Sequence, residues 1–167
     1  MKQRLKSKQA PAIPGEPIMA HFKDLSAPVW TAAGKSVTID EFIENQRQYV
    51  NSIDLAVLRV FSHRLVAKLK GTSADDYQGL AEAIHVIVQI LESPAARQAK
   101  DPLPVWLAES AFAAGYLLKG FDLIPDHFLE IGLADDALIL RRVIERNHAD
   151  IRHCLAECIE HAIGKKS

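Results

Sequence analysis

From Thr38 onward the apolar residues recur every three or four positions, and no convincing run alternates apolar and polar residues with period two. Three-and-four spacing stripes one side of an α-helix, whereas a half-buried strand needs alternation. Thr38-Ile39-Asp40-Glu41 opens the first helix as a capping box, and that helix runs to about Tyr49. Ser52 caps a second helix, or the first continues. Ile53, Val57, Val60, Phe61, Leu65 and Leu69 follow its spacing, with Gly71 as the residue beyond its end. Ser73-Ala74-Asp75-Asp76 opens the next helix. Its inner face is Tyr77, Leu80, Ile84, Ile87 or Val88, and Leu91, and Ser93-Pro94 ends it. Asp101-Pro102 reads as an Asp cap followed by Pro in the first helical position. The helix it opens carries Val105, Trp106, Phe112, Tyr116 and Leu117 and stops at Gly120. A last helix runs from near Asp135 to about Ile163, with Leu140, Ile144, Ile151, Leu155, Cys158 and Ala162 at helical spacing. The expected fold is all-α, a compact bundle of about five or six helices with an irregular N-terminal segment.

Pro11, Pro14, Pro17 and Pro28 break any long helix near the start. Residues 1–36 therefore read as a basic, Pro-rich tail, with Phe22 to Trp30 packing in part on a single helical domain at 37–167. A chain of 167 residues is one domain that folds without a metal or disulfide. Twenty Lys plus Arg against 21 Asp plus Glu, a net charge of −1, argues against a general nucleic-acid binder. The basic residues Lys2, Arg4, Lys6 and Lys8 precede no apolar stretch of the kind a secretion signal needs. The nearest approach to a spanning segment, 103–118, carries Pro104 and Glu109. Cys154 and Cys158, four residues apart, read as reduced thiols packed like small apolar groups. The expected location is cytoplasmic, with peripheral membrane contact through the basic N-terminus as an option.

Residues 120–136 stand out. They hold five carboxylates (Asp122, Asp126, Glu130, Asp135 and Asp136) and no Lys or Arg, in an otherwise apolar run. One reading makes each acid a helix-terminus device: Asp122 caps a short helix containing Pro125, Asp126 sits at its positive end, and Asp135 caps the final helix. The other brings Asp122, Asp126, Asp135 and Asp136 together. Two like charges 4 Å apart repel by about 4 kcal/mol at an effective dielectric of 20. Such a cluster needs a proton, Arg141 or Arg142 from the next helix, or a hard cation such as Mg²⁺, Mn²⁺ or Ca²⁺. Capping is the preferred reading, with no cofactor required.

Asp122-Leu123-Ile124-Pro125-Asp126 followed by Gly132-Leu133-Ala134-Asp135-Asp136 resembles the YkvA-like domain, a short bacterial domain of unknown function. The likeness covers about residues 105–145, with Tyr116 where the family favours an aromatic. Gly120 and Leu129 stand where the family usually has Pro. The resemblance implies a domain type and no reaction.

Other motifs carry less. Gly34-Lys35-Ser36 has Val29 where a phosphate loop needs Gly. His148, His153, Cys154, Cys158 and His161 share the last helix, but residues 154 and 161 are about 10 Å apart along its axis, too far for one ion to bind both ends unaided. Ser110 lies in a helix interior, and Ser62-His63 point to different faces. The expected role is a non-enzymatic module that binds or scaffolds another protein, near the membrane surface in one version. The alternative is a metal-dependent enzyme using Asp122, Asp126, Asp135 and Asp136.

Overall fold

The computed structural model describes residues 28–30, 36–68, 79–119 and 134–164. A short antiparallel ribbon comes first, β1 (Pro28–Trp30) with β2 (Ser36–Thr38), placing Val29 opposite Val37. β2 runs directly into α1 (Ile39–Arg47), and the expected capping box is formed. The Glu41 N–H donates to Thr38 Oγ1 at 3.2 Å, and the Thr38 N–H donates to the Glu41 carboxylate at 2.8 Å. The remaining elements are α2 (Ser52–Val60), α3 (Ser62–Ala67), α4 (Leu80–Glu92), α5 (Pro94–Gln98), α6 (Val105–Lys119), α7 (Ala134–Arg146) and α8 (His148–Gly164).

The fold is all-α apart from the ribbon, with eight helices among the described residues rather than five or six. The surplus comes from local breaks. Phe61 leaves helical geometry (φ −96°, ψ 8°) and separates α2 from α3. Ser93 ends α4 and caps α5, its hydroxyl accepting the Ala96 N–H at 3.1 Å, with Pro94 as the first helical residue. The helix expected to run from 135 to 163 is interrupted at Asn147. The proposed start at Ser73 to Asp76 and the end at Gly71 lie outside the described residues. The described part of that helix begins at Leu80, after Gly79 in the left-handed conformation at φ +88°.

Two cap assignments are corrected. Asn51, not Ser52, caps α2: its side chain accepts the N–H groups of Ile53 and Asp54 at 2.9 and 3.1 Å. Asp101 does not open α6. Its carboxylate instead takes the Ser52 N–H at 2.8 Å and the Ser52 hydroxyl at 2.7 Å. The positive end of α2 has free N–H groups to satisfy, and a carboxylate 49 residues away reaches them. α6 starts at Val105, with the Pro104 carbonyl accepting from Leu107 and Ala108.

α6 is the central helix. It packs against α1, α2, α3, α4 and α7. Its buried residues are largely small (Ala108, Ala111, Ala113, Ala114), with Leu107 and Leu117 filling the gaps, so five neighbours can approach it closely. Ile39 and Ile43 of α1, Ile84, Ile87, Ile90 and Leu91 of α4, and Leu138 to Leu140 and Val143 of α7 complete the core. The predicted inner face of α4 is confirmed at Leu80, Ile84, Ile87 and Leu91. Among the described residues no helix is long and apolar enough to cross a membrane.

Because Asp101 holds the start of α2 from a distance, Asp101→Ala should cost about 1 kcal/mol in urea unfolding, and Asp101→Asn less. Unchanged stability in Asp101→Ala would contradict the contact.

Candidate functional site

The acidic cluster foreseen from the sequence is placed only in part. Asp122 and Asp126 lie outside the described residues, as does the Asp135 side chain. α7 starts at Ala134, so Asp135 and Asp136 belong to its first turn and Asp135 does not precede the helix as its cap. Asp136 is buried, 3.7 Å from the Lys68 ammonium at the end of α3. Neither Arg141 nor Arg142 turns towards it. Arg141 bonds Glu145 one turn along the helix at 2.8 Å. Arg142 forks onto Asp40 of α1, Nε to Oδ1 at 2.7 Å and Nη2 to Oδ2 at 2.8 Å. The planar fork gives Arg142 two charge-assisted bonds to Asp40 at once. Among the described residues no group of three His, Cys, Asp or Glu is placed to hold a metal ion.

The charged centre that the structure does assemble joins α1, α6 and α7. Glu109, about one turn into α6, is completely buried. Its carboxylate accepts from Asn147 Nδ2 at 2.7 Å, from Arg146 Nη2 at 3.1 Å and from Arg146 Nε at 3.3 Å, and Arg47 Nε lies 3.5 Å away. Arg146 is the hub. Its guanidinium also reaches Glu44 at 2.9 Å and Asp40 at 3.1 Å, both on α1. Four carboxylates (Asp40, Glu44, Glu109, Glu145) meet four guanidiniums (Arg47, Arg141, Arg142, Arg146), so the formal charge balances. The Arg142 fork, opposed by partial burial, holds the Asp40 carboxyl below the usual range. Burial works against the Arg146 charge, but hydrogen bonds to Glu109 and Glu44 outweigh it and raise its affinity for its proton. Beside this centre Phe42 of α1 meets Phe112 and Tyr116 of α6 edge-on, at 5.8 and 6.0 Å between ring centres. With each Glu109 oxygen already accepting, the centre fastens helices and has little capacity left for a substrate.

In the sequence Glu109 stands out only as an interruption of an apolar run. That interruption was the usable signal, because a carboxylate on an otherwise buried helix must be paired. Its partners could not be read in the same way.

The thiols are free, Cys154 buried and Cys158 half-buried. Burial, then the neighbouring Cys154, pushes the Cys158 thiol up, away from the thiolate a nucleophile needs. Cys158 and His161 line a cleft of about 490 Å³ with Glu92 and Arg97.

The helically spaced apolar residues of α2 and α3 divide between core and surface. Leu55, Leu58 and Leu65 face the core, whereas Ile53, Val57 and Val60 are 73%, 49% and 65% exposed and Phe61 is also exposed. The segment carries two apolar stripes at helical spacing, and α6 and α4 cover the leucine stripe. The other forms a ridge along the solvent side of α2. Arg64 of α3 sits over the Phe61 ring at 5.0 Å.

A family model described as a protein of unknown function (DUF1232) matches residues 107–140, from α6 into the first half of α7. The match takes in the buried Glu109, Tyr116 and Asp136 and the half-buried Phe112. No curated protein and no solved structure matches the chain.

Glu109→Ala leaves Arg146 and Arg47 without their buried counter-ion and should cost about 3–5 kcal/mol, against at most about 0.5 kcal/mol for the exposed Arg141→Ala. Asp40 adds a pH signature. Its carboxyl is lowered from 3.8, so its contribution is present above that pH and is lost as pH falls through the lower folded value. Thermal melts of the wild type and Asp40→Asn should differ by a constant amount above pH 3.8 and converge below it.

Proposed function

We propose that the protein is a non-enzymatic binding module that docks through the outer face of α2. The carrying observation is the ridge Ile53, Val57, Val60 and Phe61, exposed on a helix whose opposite side is fully packed. Singly exposed apolar residues are ordinary, but a contiguous row at 53, 57, 60 and 61 resembles the i, i+4, i+7 anchors by which a helix meets a partner. The charge-balanced centre at Glu109 supports the same reading. It spends the buried ionisable groups on joining helices, where a catalytic site would leave one aimed at a cavity.

The matched segment at 107–140 supports a domain of uncharacterised type. Its finer identification as YkvA-like rests on Asp122-Leu123-Ile124-Pro125-Asp126 and Asp135-Asp136, which overlap that segment. Free Cys154 and Cys158 are in keeping with a reducing, cytoplasmic setting.

In-cell photo-crosslinking tests the docking surface. A benzophenone side chain replacing Val57 should give a light-dependent adduct, to protein or lipid, that disappears when Ile53→Ser and Val60→Ser are added. Because both residues are exposed, that pair of changes should shift stability by no more than about 0.5 kcal/mol each. No adduct of either kind would overturn the proposal.

A further inference from the structure

We infer that Cys154 and Cys158 are a redox couple whose disulfide form unwinds the end of α8 and removes one wall of the cleft at Cys158. The two residues lie one turn apart on α8, and Cys154 is the hydrogen-bonding neighbour of the Cys158 thiol. Their access differs. Cys158 is half-buried and lines the cleft of about 490 Å³, whereas Cys154 is 3% exposed. An oxidant entering the cleft therefore meets Cys158 first, with Cys154 behind it in position to resolve the product.

The oxidant is a low-molecular-weight disulfide. The Cys158 thiolate attacks one of its sulfurs, forming a mixed disulfide and expelling one small thiolate. The Cys154 thiolate then attacks Cys158 Sγ, closing the internal S–S bond and expelling the second. The protein gives up two electrons and two protons, and the small disulfide takes both to become two thiols. Burial, Cys154 and Glu157 push the Cys158 thiol up, so fewer chains carry the thiolate. The same effect makes the small thiol the better leaving group, and the mixed disulfide breaks towards the internal bond.

That bond cannot close on an intact helix. Cβ atoms four residues apart on a helix are separated by about 5–6 Å, and a disulfide needs about 3.5–4.5 Å. The backbone between the cysteines must leave helical geometry, and the turns beyond it are the part free to move. The buried residues of α8 are Ile151 and Cys154, and every residue from Ile159 to Gly164 is exposed. That end can let go without exposing a core side chain. Cys158, His161 and Ala162 form the α8 wall of the cleft, opposite Glu92 of α4 and Arg97 of α5. Oxidation thus dismantles the cleft and leaves the bundle standing.

Incubation of the purified full chain with oxidised glutathione, followed by thiol alkylation and mass spectrometry, tests this. The wild type should lose two hydrogens to an internal disulfide. Cys154→Ala should stop at a glutathione adduct on Cys158. Cys158→Ala should react at least about tenfold more slowly than Cys154→Ala, because its remaining thiol is buried. Far-UV circular dichroism of the oxidised wild type should lose the helical signal of about two to three turns, and dithiothreitol should restore it. Circular dichroism melts of the reduced variants confirm that each is folded; if one is not, the wild type decides through its internal disulfide and its helical signal. A glutathione adduct that persists on the wild type, a disulfide between two chains, or no reaction overturns the couple. An internal disulfide that leaves the helical signal unchanged overturns the unwinding.

Discussion

A carboxylate removed from water costs several kcal/mol unless cations and donors meet it. Glu109 is carried to the interior by the central helix, so α1 and α7 must arrive in one register for that position to be tolerable. Arg146 and Asn147 come from the end of α7, and Arg47 from the end of α1. The apolar contacts of α6 would accept several rotations of its neighbours, since alanines dominate its surface. The ion cluster accepts very few. Buried ionic groups are weak contributors to net stability, and here their effect is chiefly on which arrangement of three helices is adopted.

The cluster pairs every arginine of α1 and α7 with a carboxylate, Arg141 at its exposed edge, while Arg59 and Arg64 form no ion pair among the described residues. The surface chemistry of α2 follows from what the core does not use. The core needs one apolar stripe from this segment and takes Leu55, Leu58 and Leu65. Ile53, Val57 and Val60 remain outside, where burial cannot account for them.

Helix type and local caps were legible in the sequence because they depend on neighbours a few residues apart. The Thr38–Glu41 box and the inner face of α4 are of this kind. The errors share one cause. Ile53 and Leu55 both have helical spacing, and nothing within α2 says which stripe α6 and α4 will cover. Asp101-Pro102 has the form of a helix start, but the N-terminus of α2 lies within reach in the folded chain. Arg142 stands close to Asp135 and Asp136 in sequence and yet pairs with Asp40, 102 residues away.

The sequence by itself determined that this chain is helical, where several of its helices begin, and that an acid interrupts an apolar stretch at position 109. Each of these follows from periodicity, capping chemistry or composition within about one helical turn. The tertiary structure alone decided which cations meet Glu109, which of two stripes on α2 is buried, and which arginines are left unmatched. Arg146 is separated from Glu109 by 37 residues and from Glu44 by 102. Such pairings carry no local signature, because the energy that selects them exists only once the helices are packed and water has been excluded from between them.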